Sequence, residues 1–143
     1  MLDPARLDTS PVQPKRVNPP ALYAGTPYDY AAVAPEGGLV FTAGACPLDA
    51  DGNVVAPGDL EAQTRRTLDN LASVLAEAGS GLEQVLKTTV YVAGSDRSDL
   101  LRVWSVVEEW CGASRPPSTL LGVSFLGYRD QLVEIEAVAL RGE

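Results

Sequence analysis

Residues 132–140 alternate in character at the period of a β-strand. Val133, Ile135, Ala137 and Ala139 fall on one face and suit packing against helices. Leu132, Glu134, Glu136, Val138 and Leu140 fall on the other, which mixes carboxylates with large apolar residues and is neither a plain solvent face nor a plain core face. A subunit interface holding a functional carboxylate would explain both residue types; cross-strand pairing of each glutamate with a Lys or Arg is the simpler alternative. Residues 85–92 show the same period, with Leu86, Thr88, Val90 and Val92 set against Lys87, Thr89 and Tyr91. Residues 39–46 read as a strand interrupted by Gly44. It ends at Pro47 and a turn over 49–52, after which Val54 and Val55 start a short return strand. A further strand is expected over 118–125, joined to the last through Gly127, Tyr128, Arg129 and Asp130.

Two segments carry the helical period instead. From Asp59 to Ala78, the positions Leu60, Thr64, Leu68, Leu71, Leu75 and Ala78 recur every three or four residues, and Gly79 supplies the stop. The second helix is capped by Ser95 or Asp96, carries Leu100, Val103, Trp104, Val107 and Trp110 on one side, and stops at Gly112. The predicted fold class is therefore α+β, a mixed β-sheet with both helices packed on one face. Something other than these helices must cover the second face. Residues 1–20 contain Pro4, Pro11, Pro14, Pro19 and Pro20 and few large apolar side chains, so they read as an extended N-terminal arm, either a loose end or one that packs across a neighbouring subunit. Residues 21–143 form the domain.

Composition narrows the chemistry. The chain has 143 residues, enough for one core, and it has no histidine. That removes Ser-His-Asp and Cys-His nucleophilic machinery and any imidazole base. Nineteen acidic against eleven basic residues give a net charge of −8, which disfavours binding of a phosphate backbone and hence a nucleic-acid partner. No stretch approaches a membrane span, and the first residues have no secretory pattern, so a cytoplasmic location is expected. Cys46 and Cys111 are too few and too far apart for a disulfide framework or a zinc site; Cys46, two residues after Gly44, could share its face, but with no neighbouring cation visible both read as packing residues.

A set of short motifs, in order and at consistent spacing, resembles the Rid family of reactive intermediate deaminases, also called YjgF-like proteins. They are Thr26-Pro27-Tyr28, Phe41-Thr42-Ala43-Gly44, residues 63–68 with Asn70, the strand 85–92, Arg115-Pro116-Pro117-Ser118-Thr119, and Val133-Glu134-Ile135-Glu136-Ala137. The resemblance covers residues 27–140. It implies a chorismate-mutase-like subunit assembling as a homotrimeric barrel, with small-molecule clefts between subunits and sheets facing inward. It further implies hydrolysis of 2-imino acids or their enamine tautomers to 2-keto acids and ammonia, with no metal or organic cofactor. A protonated imine is already electrophilic, so such a site needs to hold substrate, order one water and manage protons with a carboxyl group. By resemblance, Glu134 is that carboxyl, Gly44 lines the water site, Tyr28 closes the cleft, and Leu120 offers backbone groups to ligand or water.

One departure matters more than the matches. The family's deaminases place an arginine two residues after the Arg-Pro proline to clamp the substrate carboxylate, a task suited to bidentate guanidinium geometry. Here the position is Ser118, or Thr119 under a shifted alignment, and an early glutamine is replaced by Tyr30. Three readings follow. The site takes a neutral or differently charged imine, enamine or carbonyl compound held by Ser118, Thr119, Tyr28 and Tyr30; a cation such as Arg129 or Arg115 reaches in from elsewhere; or the protein is a non-catalytic trimer that binds a metabolite or partner. The first, an atypical hydrolase, is the expectation. Ribonuclease activity, attributed to some relatives, is disfavoured by the acidic charge.

Overall fold

The computed structural model describes residues 15–34 and 38–142. Six strands form one sheet: β1 (Lys15–Val17), β2 (Ala31–Val33), β3 (Leu39–Thr42), β4 (Val85–Val92), β5 (Ser118–Gly122) and β6 (Val133–Leu140). Their order is β1-β2-β3-β6-β4-β5, antiparallel except for the parallel pair β4–β5. A parallel pair needs a crossover, and the helix α2 (Arg97–Cys111) supplies it. The helix α1 (Leu60–Glu77) lies between β3 and β4 in the chain. Both helices pack on the same face, and the α+β architecture is as expected.

Local chemistry sets the helix ends. Asp59 caps α1 by accepting from the Ala62 amide, and Gly79 at φ +80° follows its end. Asp96 caps α2, and the Asp99 carboxylate reaches back to the Ser95 and Asp96 amides in a reciprocal capping arrangement. The helices are tied to each other by Arg102, whose Nε and a terminal nitrogen bind the two oxygens of Glu61 at 2.8 and 2.9 Å.

The core is the layer between helices and sheet. Val133, Ile135, Ala137 and Ala139 of β6 are buried there with Val40, Val90 and Val92, against Leu68, Leu71, Leu75, Val103 and Val107 of the helices. Glu134, Glu136 and Val138 look the other way, as their alternation predicts. Among the described residues nothing covers that second face, where Phe41, Leu121 and Leu140 are all exposed.

Some details differ from the sequence expectation. The strand expected over 39–46 pairs regularly only to Thr42; beyond it, Ala45 makes an isolated bridge to Ile135. The return strand at Val54 is likewise one bridge, to Leu48, and the strand from Ser118 ends at Gly122. A register shift against β6 between Val85 and Lys87 turns Leu86 outward, so Val85 and not Leu86 joins Thr88, Val90 and Val92 on the buried face. Of the expected arm, residues 1–14 lie outside the described residues, while Lys15–Val17 pair with β2 at the sheet edge.

Candidate functional site

The bridge beyond β3 builds the site. Backbone bonds between Ala45 and Ile135, at 2.7 and 3.1 Å, hold residues 44–46 alongside the start of β6. Gly44 thereby comes to lie directly under the Glu134 side chain. A Cβ at position 44 would stand 2.3 Å from Glu134 Oε2, so only glycine allows this approach. At the other oxygen of the carboxylate, Oε1, Cys46 Sγ donates at 3.2 Å, with the Gly44 carbonyl as a longer alternative acceptor at 3.4 Å, and Gln131 Nε2 donates to Oε1 at 3.2 Å. Both donors are themselves buried.

Two tyrosines form the mouth. Tyr28 comes from the segment before β2 and Tyr128 from the loop before β6, and their hydroxyls meet at 3.2 Å. Tyr30 stands behind Tyr28, ring edge to ring face at 6.0 Å, with its own hydroxyl donated to the Tyr23 carbonyl at 2.7 Å. The resulting cleft has a volume of ≈ 450 Å³ and is lined by Tyr28, Gly44, Cys46, Tyr128 and Glu134 together with Pro27, Ala43 and Gly127. Glu134 is the one charged side chain among these. Burial, first, and then the neighbouring Glu134 charge push the Cys46 thiol up to about 12. It is a proton donor at neutral pH and not a thiolate nucleophile. Burial and the bond to Tyr128 also raise the Tyr28 phenol above its ordinary value, which keeps its proton in place.

The loop that carries Tyr128 and Gln131 is moored to α1. Gln63, fully buried, donates to the Asp130 carbonyl at 2.9 Å and accepts from the Leu132 amide at 2.9 Å. Two turns further along the same helix, Asn70 Nδ2 donates to the carbonyls of Cys46 and Leu48, both at 2.9 Å.

A profile of the family described as Endoribonuclease L-PSP matches residues 19–141. The chain belongs to this YjgF/Rid family. A RutC family protein of Pyrococcus abyssi is 35% identical over 112 residues, which is 78% of this chain and 86% of the relative. The crystal structure of the YjgF gene product from Escherichia coli superposes with a TM-score of 0.75 at 28% identity, covering 90% of this chain and 99% of that one. The structure of Escherichia coli TdcF with bound serine gives the same TM-score at 26% identity, again over 90% of this chain and 99% of that one.

Of the residues that the family resemblance singles out, Glu134, Gly44 and Tyr28 meet in one cleft. The others do not meet there within one chain. Ser118, Thr119 and Leu120 lie on β5, at the opposite edge of the sheet from β1 and separated from β6 by β4. Two interstrand spacings make this roughly 10 Å across the sheet. Ser118 Oγ accepts from Thr88 Oγ1 at 2.7 Å, and Thr119 Oγ1 accepts from Lys87 Nζ. Ser118 and Arg115 line a separate cavity beside Trp104 and Glu108 of α2. Arg129 follows Tyr128 in the loop but is exposed and does not line the cleft.

Gln131 and Tyr128 were not expected at the site, and Cys46 was expected to pack although its position allowed it to face the cleft. Cys46 reads as a packing residue in the sequence, and it is buried, but it touches the carboxylate that the resemblance assigns to chemistry. Its position two residues after Gly44 was the one available signal, because residues i and i+2 of an extended chain share a face.

Proposed function

We propose that the protein is a cofactor-independent hydrolase of a small imine, enamine or related carbonyl compound, working as a homotrimer in which the cleft is completed by a neighbouring subunit. The observation that carries this reading is the Glu134 carboxylate in a cleft, with Oε2 against the bare backbone of Gly44 and no Lys or Arg among the described residues that line it. A water ordered beside Gly44 attacks the carbon of a protonated imine. Glu134 takes one proton from that water, giving a carbinolamine, and returns it to nitrogen; as the C–N bond breaks it takes the hydroxyl proton, which then passes to the departing ammonia. Iminium plus water becomes carbonyl compound plus ammonium, with no change of oxidation state. Tyr28, still protonated, donates a hydrogen bond to the ligand and covers it.

As the one charge that the described residues of a single chain bring to the cleft, Glu134 favours a substrate that is neutral or cationic once protonated, and it repels a carboxylate placed beside it. Serine bound in TdcF supports small-molecule binding by this fold. The domain is read as residues 21–143, joined at its sheet edge by Lys15–Val17, and the cytoplasm as the protein's location. Assembly is tested by light scattering: three copies per particle at micromolar concentration are expected, and a stable monomer contradicts the shared cleft. The activity is tested by generating a panel of imines in situ with amino-acid and amine oxidases and following their decay with and without the protein.

A second reading, a trimeric binding protein without turnover, is favoured by one observation: the hydroxyls at positions 118 and 119 are already engaged by Thr88 and Lys87. If no imine in the panel decays faster with the protein present, that reading replaces the first. Restoring the family's clamp gives a sharper result. Ser118→Arg is expected to raise 2-iminopropionate hydrolysis at least ~10-fold in kcat/KM, since a charge-assisted bidentate contact is worth roughly 1.5–3 kcal/mol. No gain in a folded trimer would mean that position 118 does not face the substrate.

A further inference from the structure

The Glu134 carboxylate is held asymmetrically. Oε1 receives both nearby donors, the Cys46 thiol and the Gln131 amide, each at 3.2 Å, and both of those side chains are buried. Oε2 receives neither and lies where a Cβ of residue 44 would otherwise be. The anchors are in turn fixed. Gln131 Nε2 also donates to the Val133 carbonyl at 3.0 Å, and its Oε1 accepts from the Tyr128 amide at 3.1 Å. Cys46 sits on a backbone bonded to Asn70.

We infer that Cys46 and Gln131 are positioning residues that lock Glu134 through Oε1 and leave Oε2 as its single working oxygen, aimed at the water site beside Gly44. Without them the carboxylate rotates about its last bond and offers either oxygen in a range of directions, and a general base must sit within hydrogen-bond reach of the proton it takes. A thiol is a weak donor and an amide a stronger one, so one anchor supports the other. The thiol performs this role as S–H: its proton is kept by burial and by the carboxylate itself. This assignment makes Cys46 a structural partner of the base and not a nucleophile, and it rests on the proposed hydrolase reading for its kinetic consequence alone.

The expected kinetics separate positioning from packing. Cys46→Ala and Gln131→Leu each lower kcat about 3- to 30-fold on the best imine of the panel, with KM within ~2-fold, because ground-state binding does not use Oε1. Cys46→Ser, which restores a donor in similar volume, recovers most of the loss. The double variant Cys46→Ala/Gln131→Leu loses more than the product of the two single losses, since either donor alone still holds the oxygen. A Cys46→Ser enzyme as impaired as Cys46→Ala, or losses carried by KM, would overturn the assignment.

A second measurement does not depend on turnover. Alkylation of Cys46 by iodoacetamide at pH 9, read by peptide mass spectrometry so that Cys111 is scored separately, is expected to be slow in the native protein. In Glu134→Gln it is expected to be at least several-fold faster, because the carboxylate that suppresses the thiolate is gone. Equal rates would show that the thiol and carboxylate do not touch. Should the native protein hydrolyse no imine, the hydrolase reading fails and the alkylation rates alone decide the anchoring.

Discussion

Replacing Glu134 by Gln is expected to lower kcat for the best imine substrate by roughly 10²- to 10⁴-fold, the usual contribution of a positioned acid–base group. The substitution keeps the shape of the side chain, and an amide oxygen can still accept from Cys46. Loss of fold is therefore not the expected cause. What disappears is the proton acceptor beside Gly44 and the negative charge that steadies a protonated imine. Ammonia release gives the readout, and an unchanged circular dichroism spectrum and particle size show that the comparison is between folded proteins. A variant within ~3-fold of the native rate would remove Glu134 from the chemistry and leave the cleft as a binding site.

The largest effect on stability is expected at Gln63. Its side chain is fully buried and serves both the Asp130 carbonyl and the Leu132 amide. In Gln63→Leu the volume is nearly kept, but the part-buried Leu132 N–H and Asp130 C=O lose their partner. A fully buried orphan costs about 1–3 kcal/mol, and part-buried ones less, so a loss of ~1–4 kcal/mol is expected, lowering Tm by roughly 3–12 °C at fixed protein concentration. The same change frees the loop carrying Tyr128 and Gln131, so activity should fall more steeply with temperature than unfolding alone explains. A Tm within ~2 °C of native would mean that the loop finds other partners.

Much of the architecture was legible because it depends on local periodicity. The two faces of β6 and the two helices with their stops all follow from side-chain spacing and capping chemistry. Strands β1 and β2, at three residues each, are too short to show a period, and the register shift after Val85 reverses the face of Leu86 in a way that alternation cannot foresee. At the site, Glu134, Gly44 and Tyr28 were reached through the family resemblance. Cys46 lies 88 residues from Glu134 and Tyr128 lies 100 from Tyr28, and such pairings follow from tertiary packing and from no pattern within either segment. Gln131 is only three residues from Glu134, but its contact depends on how the loop turns back on itself.

Two polar side chains of α1, Gln63 and Asn70, bond to the backbone behind the cleft's walls, and this has a mechanical consequence. Gln63 holds the wall that carries Tyr128 and Gln131, and Asn70 holds the wall that carries Cys46. They are seven residues apart on one rigid helix, which places their anchor points about 10 Å from each other along its axis. The helix acts as a spacer bar, and the gap between the walls is a property of its pitch. In a single chain the part of the opening that is free to yield is then the hydroxyl contact between Tyr28 and Tyr128.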